Sequence, residues 1–119
     1  MSLNELLRNL VCDCGALGAL VMTADGFPLE EYRSDDLFDL DGCAVEFASF
    51  LADTRHVTTL LENGGVEELS LLTERIRVVI RTLSVGMAFF LVLPADAPYG
   101  KARYLMRRDQ HKILEAMQG

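Results

Sequence analysis

The sequence predicts a layered α/β domain. It is a five-stranded antiparallel sheet of strand order 2-1-5-4-3, with chain order α-β-β-α-β-β-β-α. Two helices lie on one face and a long central helix on the other. Three observations predict it. The 119 residues make one domain and suffice to bury a core without disulfides or metal. Two short runs, 16–22 and 86–93, are apolar on both alternating faces, so the strands they form need cover on both sides. Helical periodicity at the start, middle and end of the chain supplies that cover.

Ser2 stands three residues before Glu5, a capping-box spacing, and Leu3, Leu6, Leu7, Leu10 and Val11 recur at helical intervals, predicting a helix over 3–12. The run 16–22 is the first strand. Asp25-Gly26 is a hairpin turn signal, and 27–32 returns as the second strand, which Pro28 confines to an edge because proline cannot donate to a ladder. Residues 34–41 are acidic, with Asp35, Asp36, Asp39 and Asp41. They read as a solvated loop whose aspartates suit a helix start. The glycine and glutamate spacing of a calcium loop is missing there.

The long helix spans 42–62 and ends at Asn63-Gly64-Gly65. Strands follow at 66–72 and 76–83. A turn at Glu74-Arg75 sets Leu71 against Val78, Leu69 against Ile80, and Glu68 beside Arg81 as a cross-strand ion pair. The run 86–93 is a central strand stopped by Pro94. Asp96 suits an N-cap and Pro98 a first turn, so the last helix runs to Met117 with Ala102, Leu105, Met106, Ile113 and Met117 toward the sheet. Hairpins join strands 1 to 2, 3 to 4 and 4 to 5. Pairing the two apolar strands, 1 and 5, completes the order and leaves strand 3 a free edge open to another chain.

The apolar side chains of the 42–62 helix span roughly 240° of arc, far more than the stripe of about 100° that packs on one sheet. Cys43, Phe47, Phe50, Val57 and Leu61, mostly large, suit the sheet. Ala44, Ala48, Leu51 and Ala52, mostly small, form a second arc with Arg55, and this arc is the expected dimer interface, a two-fold contact with the same helix of another copy. The competing reading packs the alanines on the chain's own sheet. Glu46, Ser49, Asp53 and His56 form a polar stripe that is either solvated or a partner-binding surface.

The formal charge of −7 repels phosphate backbones and anionic lipid. No apolar run reaches the roughly 20 residues that span a bilayer, and no export signal is visible. These features point to a cytoplasmic protein without membrane insertion or nucleic acid. Cys12, Cys14 and Cys43, an odd count, read as reduced thiols, and Cys12 and Cys14 are C-x-C rather than a zinc spacing. The phosphate-binding G-x-x-x-x-G-K-[ST] and the nucleophile elbow G-x-S-x-G are absent, His56 and His111 stand alone, and Cys43 has no evident local base. No enzyme activity, metal or cofactor is expected. Lys101, Arg103, Arg107, Arg108 and Lys112 give the last helix a cationic side, either solvated or a docking patch for an acidic partner.

The segment 18–28, GALVMTADGFP, and the segment 94–103, PADAPYGKAR, with Gly100 and Arg103 opening the last helix, resemble the roadblock / dynein-light-chain domain family, above all its bacterial and archaeal members. The resemblance covers nearly the whole chain and makes 1–119 a single roadblock-like domain. It implies a homodimer through the central helix and the third strand, acting as regulator or scaffold of a Ras-like small GTPase; some members of the family speed GTP hydrolysis, and the resemblance does not decide whether this chain does. The paired central helices would meet the GTPase, with Glu46, Asp53 and His56 exposed. The family carries no catalytic motif to transfer. The rival reading is a sensory or ligand-binding α/β domain without a GTPase partner, which needs a pocket between sheet and helix.

Overall fold

The computed structural model describes residues 1–34, 39–84 and 86–118. Its element order is the expected one: α1 (Leu3–Cys14), β1 (Gly18–Thr23), β2 (Pro28–Arg33), α2 (Leu40–Leu61), β3 (Glu68–Leu72), β4 (Ile76–Ser84), β5 (Met87–Pro94) and α3 (Tyr99–Gln118). The five strands form one antiparallel sheet in the order β2-β1-β5-β4-β3.

Local chemistry sets the ends of α1. Ser2 Oγ accepts from the Glu5 N–H at 3.1 Å, and Gly15 closes the helix in the left-handed region at φ 66°. The central helix starts two residues earlier than expected because the Asp39 carboxylate accepts from the Gly42 N–H at 3.0 Å and caps it. It also ends sooner. Glu62, not the glycines after it, takes the left-handed cap at φ 56°. Asp96 does not cap α3; the Pro98 carbonyl, directly ahead of the helix, accepts from the Ala102 N–H at 3.1 Å. Asp35 and Asp36 lie outside the described residues.

The sheet separates two cores. On one face α1 and α3 bury Leu7, Leu10, Met106 and Ile113 against Ala19, Val21, Val79, Phe89 and Leu91. On the other, α2 packs Leu40, Ala44 and Leu51 against Leu20, Met22, Val78, Ile80 and Phe90, with Phe47 edge-on to Phe90 at 4.9 Å between centroids. Residues alternate between the two cores along β1, β4 and β5, as the two-residue period of a strand covered on both faces requires.

The β3–β4 register matches the expectation pair for pair: Glu68 with Arg81, Leu69 with Ile80, Leu71 with Val78. The turn has neither glycine nor asparagine. Instead the Thr73 hydroxyl accepts from the Ile76 N–H at 3.2 Å and donates to the Ile76 carbonyl at 3.2 Å. Among the described residues no helix is long and apolar enough to cross a membrane.

Candidate protein-binding surfaces

The central helix turns a different side to the sheet from the one expected. Ala44, Ala48 and Leu51, expected at an interface, are buried in the chain itself at 0%, 5% and 1% exposure. Phe50, Val57 and Leu61, expected on the sheet, are 50%, 55% and 61% exposed. Cys43 and Phe47 are half-buried, and Ala52 and Arg55 are exposed.

The reason is the β1–β2 turn. Gly26 sits at φ 88°, and a Cβ placed there would lie 2.8 Å from Val45 Cα, 3.0 Å from the Ala44 carbonyl oxygen and 3.1 Å from Ala48 Cβ. The hairpin therefore rests directly on the backbone of α2, and only small helix residues allow that approach. The alanines admit a turn of the same chain, not a second helix.

The burial of α2 stops at Leu51. Beyond it, through Leu61, every residue is exposed except the half-buried Thr54 and Thr58. The threonines hold their hydroxyls on the helix itself: Thr54 donates to the Phe50 carbonyl at 2.8 Å, and Thr58 and Thr59 to that of Arg55 at 3.0 and 2.9 Å. Ten residues of helix, about 15 Å at the usual rise, thus project with Val57, Leu60 and Leu61 bare. Phe50, Val57 and Leu61 share one side of the helix by spacing.

That side leans toward β3. Phe47, Phe50, Leu69, Leu71 and Ile80 line a cavity of ≈ 20 Å³ between helix and sheet, far below the 300 Å³ or so where small-molecule sites begin. Among the described residues β3 pairs only with β4, and Leu71 and Leu72 are 43% and 55% exposed. Phe50 and Leu71, on separate elements, thus join one half-exposed apolar strip along the open edge of the sheet. Glu46, Ser49, Asp53 and His56 are all exposed on the outer side of α2.

On the opposite sheet face, β3 is tied to α3. Glu68 accepts from Arg81 at 2.8 Å and Arg103 at 2.7 Å, and Arg81 also donates to Gln110 at 3.0 Å. Arg77 and Arg103 lie over the Tyr99 ring at 4.0 and 5.5 Å. Pairing of Glu68 with Arg81 followed from strand alternation, but the third member, Arg103, comes from a helix whose rotation periodicity alone does not set. Buried Asp109, held by the adjacent Arg108 at 2.9 Å, also carried no sequence signal.

Two of the three thiols, Cys14 and Cys43, are poor nucleophiles in this setting. Burial pushes Cys14 up to about 11. Burial first, then the Asp39 carboxylate, raise Cys43 as well, which keeps both thiols protonated at neutral pH. Among the described residues no three of His, Cys, Asp and Glu converge to hold a metal.

A scan against protein-family models finds no match, and no curated protein matches the chain either. Solved structures do. MglC from Myxococcus xanthus is 34% identical over 95% of this chain and 97% of its own, with a TM-score of 0.66. The gliding protein MglB from Thermus thermophilus is 23% identical over 98% of this chain and 90% of its own, at 0.90. A Roadblock/LC7 domain from Streptomyces avermitilis is 15% identical, covers both chains in full and superposes at 0.88. At those last two identities the likeness is one of fold.

Proposed function

The chain belongs to the Roadblock/LC7 domain family, and from that premise we propose that it works as a homodimer whose paired α2 helices receive a Ras-like small GTPase. The observation that carries the dimer is the apolar strip shared by Phe50 and Leu71, continued along the overhanging end of α2 by Val57 and Leu61. A two-fold contact there adds β3 of one copy to β3 of the other and covers both helix overhangs at once. The interface expected from sequence at Ala44, Ala48 and Leu51 moves to this neighbouring side of the helix. Ala52 and Arg55, both exposed, lie by helical spacing on the far side of α2 from Phe50, Val57 and Leu61 and stand outside this contact.

The GTPase rests on the family resemblance, supported by the position of Glu46, Ser49, Asp53 and His56. These polar residues stand on the outer ridge of α2, which a β3-to-β3 dimer leaves in solvent. A surface of this kind positions or restrains a partner, which is a regulator's or scaffold's role.

The test is to mix the purified protein with candidate Ras-like GTPases in the GDP and GTP states and follow both complex formation and hydrolysis. A complex in one nucleotide state, weakened by Asp53→Arg or His56→Glu, is the expected result. No complex in either state, with hydrolysis unchanged, removes the GTPase reading. The dimer is tested separately by sedimentation, where a mass of 13.2 kDa at micromolar concentration removes it.

A further inference from the structure

The α3 side of the molecule has a charge opposite to the rest. Five of the chain's eleven basic residues stand on α3 and only two of its eighteen acidic ones, so a protein of net charge −7 carries one cationic face. Gly100, Arg103, Tyr104, Arg107 and Arg108 line an open cleft of ≈ 580 Å³ on it. Tyr104 is 62% exposed there.

The arginines of this region are not equivalent. Arg81 and Arg103 close on the Glu68 carboxylate at 2.8 and 2.7 Å, and Arg108 closes on Asp109. Arg77 stacks on Tyr99. Arg107 has no ion-pair partner among the described residues, yet borders both this cleft and the neighbouring one lined by Arg81, Gln110 and His111. Three arginines thus close on two carboxylates, Arg77 stacks on a ring, and Arg107 is left without a carboxylate among the described residues. The Glu68 contacts show what arginines bind on this face: a carboxylate, each of its oxygens accepting one N–H from Arg81 or Arg103.

We infer that this cleft is a docking site for a short acidic segment of a partner protein, its carboxylates meeting Arg107 and Arg103 and an apolar side chain lying on Tyr104. The occupant is short because the protein as a whole is acidic. The net charge of −7 repels a long polyanion or an anionic lipid sheet that extends beyond the cleft, whereas a peptide touches only the cleft. The site lies across the sheet from α2, so a partner held by α2 leaves it free.

The experiment is fluorescence anisotropy with a labelled short peptide of Glu, Asp and one Phe. The probes beside it are the same peptide with Gln and Asn in place of the acids, a single-stranded oligonucleotide, and vesicles of phosphatidylserine and phosphatidylcholine. The acidic peptide is expected to bind and to be released as ionic strength rises to about 0.3 M. Arg107→Glu should weaken it about tenfold, Tyr104→Ala less, and Arg75→Glu, in the β3–β4 turn, not at all. Arg107 is exposed and has no ion pair among the described residues, so melting should not move in its variant; Arg107→Gln is the second variant if it does. The inference is overturned if the amide peptide binds equally, if neither acidic peptide nor variant shows an effect, or if Arg75→Glu matches Arg107→Glu. It is also overturned if the oligonucleotide or the vesicles bind more tightly through Arg107. None of these outcomes depends on a GTPase.

Discussion

At one edge of the sheet β2 is finished against association; at the other, β3 is not. β2 opens with Pro28, which lacks a donor, and its pairing with β1 slips register between Val21 and Met22. Glu30 and Glu31 stand along it, α1 packs beside it, and its turn is seated on α2 through Gly26. β3 has no proline or register shift, and it carries exposed Leu71 and Leu72. The two edges of one sheet therefore behave as different surfaces. Proline, a bulge and adjacent carboxylates are devices that keep strands apart, and their presence on one side makes their absence on the other informative.

The comparison breaks most severely at Ala48, beneath the closed side. Ala48→Arg forces an unpaired guanidinium into the contact between α2 and the Gly26 turn, at a cost of at least about 3–5 kcal/mol, a large share of a domain's stability. The expected outcome in urea or thermal melts is loss of the cooperative transition. A folded monomer instead would restore the small-residue side as an interface between copies.

Next in size is the open side. Phe50→Arg combined with Leu71→Arg should leave the fold intact, since both side chains are half-exposed, and weaken self-association about a hundredfold, roughly 2.7 kcal/mol. Sedimentation equilibrium reads this as a shift toward 13.2 kDa. An unchanged mass would place the interface elsewhere.

Gly26→Ala tests the seating of the hairpin more gently. The added Cβ meets helix backbone, which cannot turn aside, in a conformation that side chains rarely adopt. A loss of roughly 2 kcal/mol in urea unfolding is expected, with the dimer unaffected.

The smallest effect belongs to Glu31. Burial, then the nearby Asp41 carboxyl, raise its pKa against the opposing pull of Arg33, and its Oε2 is buried without a hydrogen-bond partner among the described residues. A carboxyl whose pKa is higher folded than unfolded binds more protons in the folded state. Its contribution to stability therefore grows as pH falls through the raised value and is lost above it. Glu31→Gln should raise the melting temperature slightly at neutral pH and flatten its dependence on pH just above the ordinary carboxylate range. A lower melting temperature at neutral pH would show that the charge helps the closed edge.

The sequence by itself determined the sheet. Strand alternation is a local signal with a period of two, so Ile76, Val78 and Ile80 on one side and Arg77 and Arg81 on the other set the face of β4. A turn centred on Glu74-Arg75 then set its register with β3, which places Glu68 beside Arg81. Apolarity on both faces made β1 and β5 central, and Pro28 made β2 an edge. The tertiary structure alone decided which side of α2 faces inward. Its apolar arc is wide enough for two solutions, and size divides it in a way that suits either a partner helix or a close turn. The choice depends on how near Gly26 comes to Ala44 and Ala48, a contact between residues about twenty positions apart that no periodicity encodes. The same holds for Arg103, which reaches Glu68 from an element thirty-odd residues later. Local patterns specify an element and its possible faces. Close approach between distant elements selects one face, and so decides which apolar side is left for a partner.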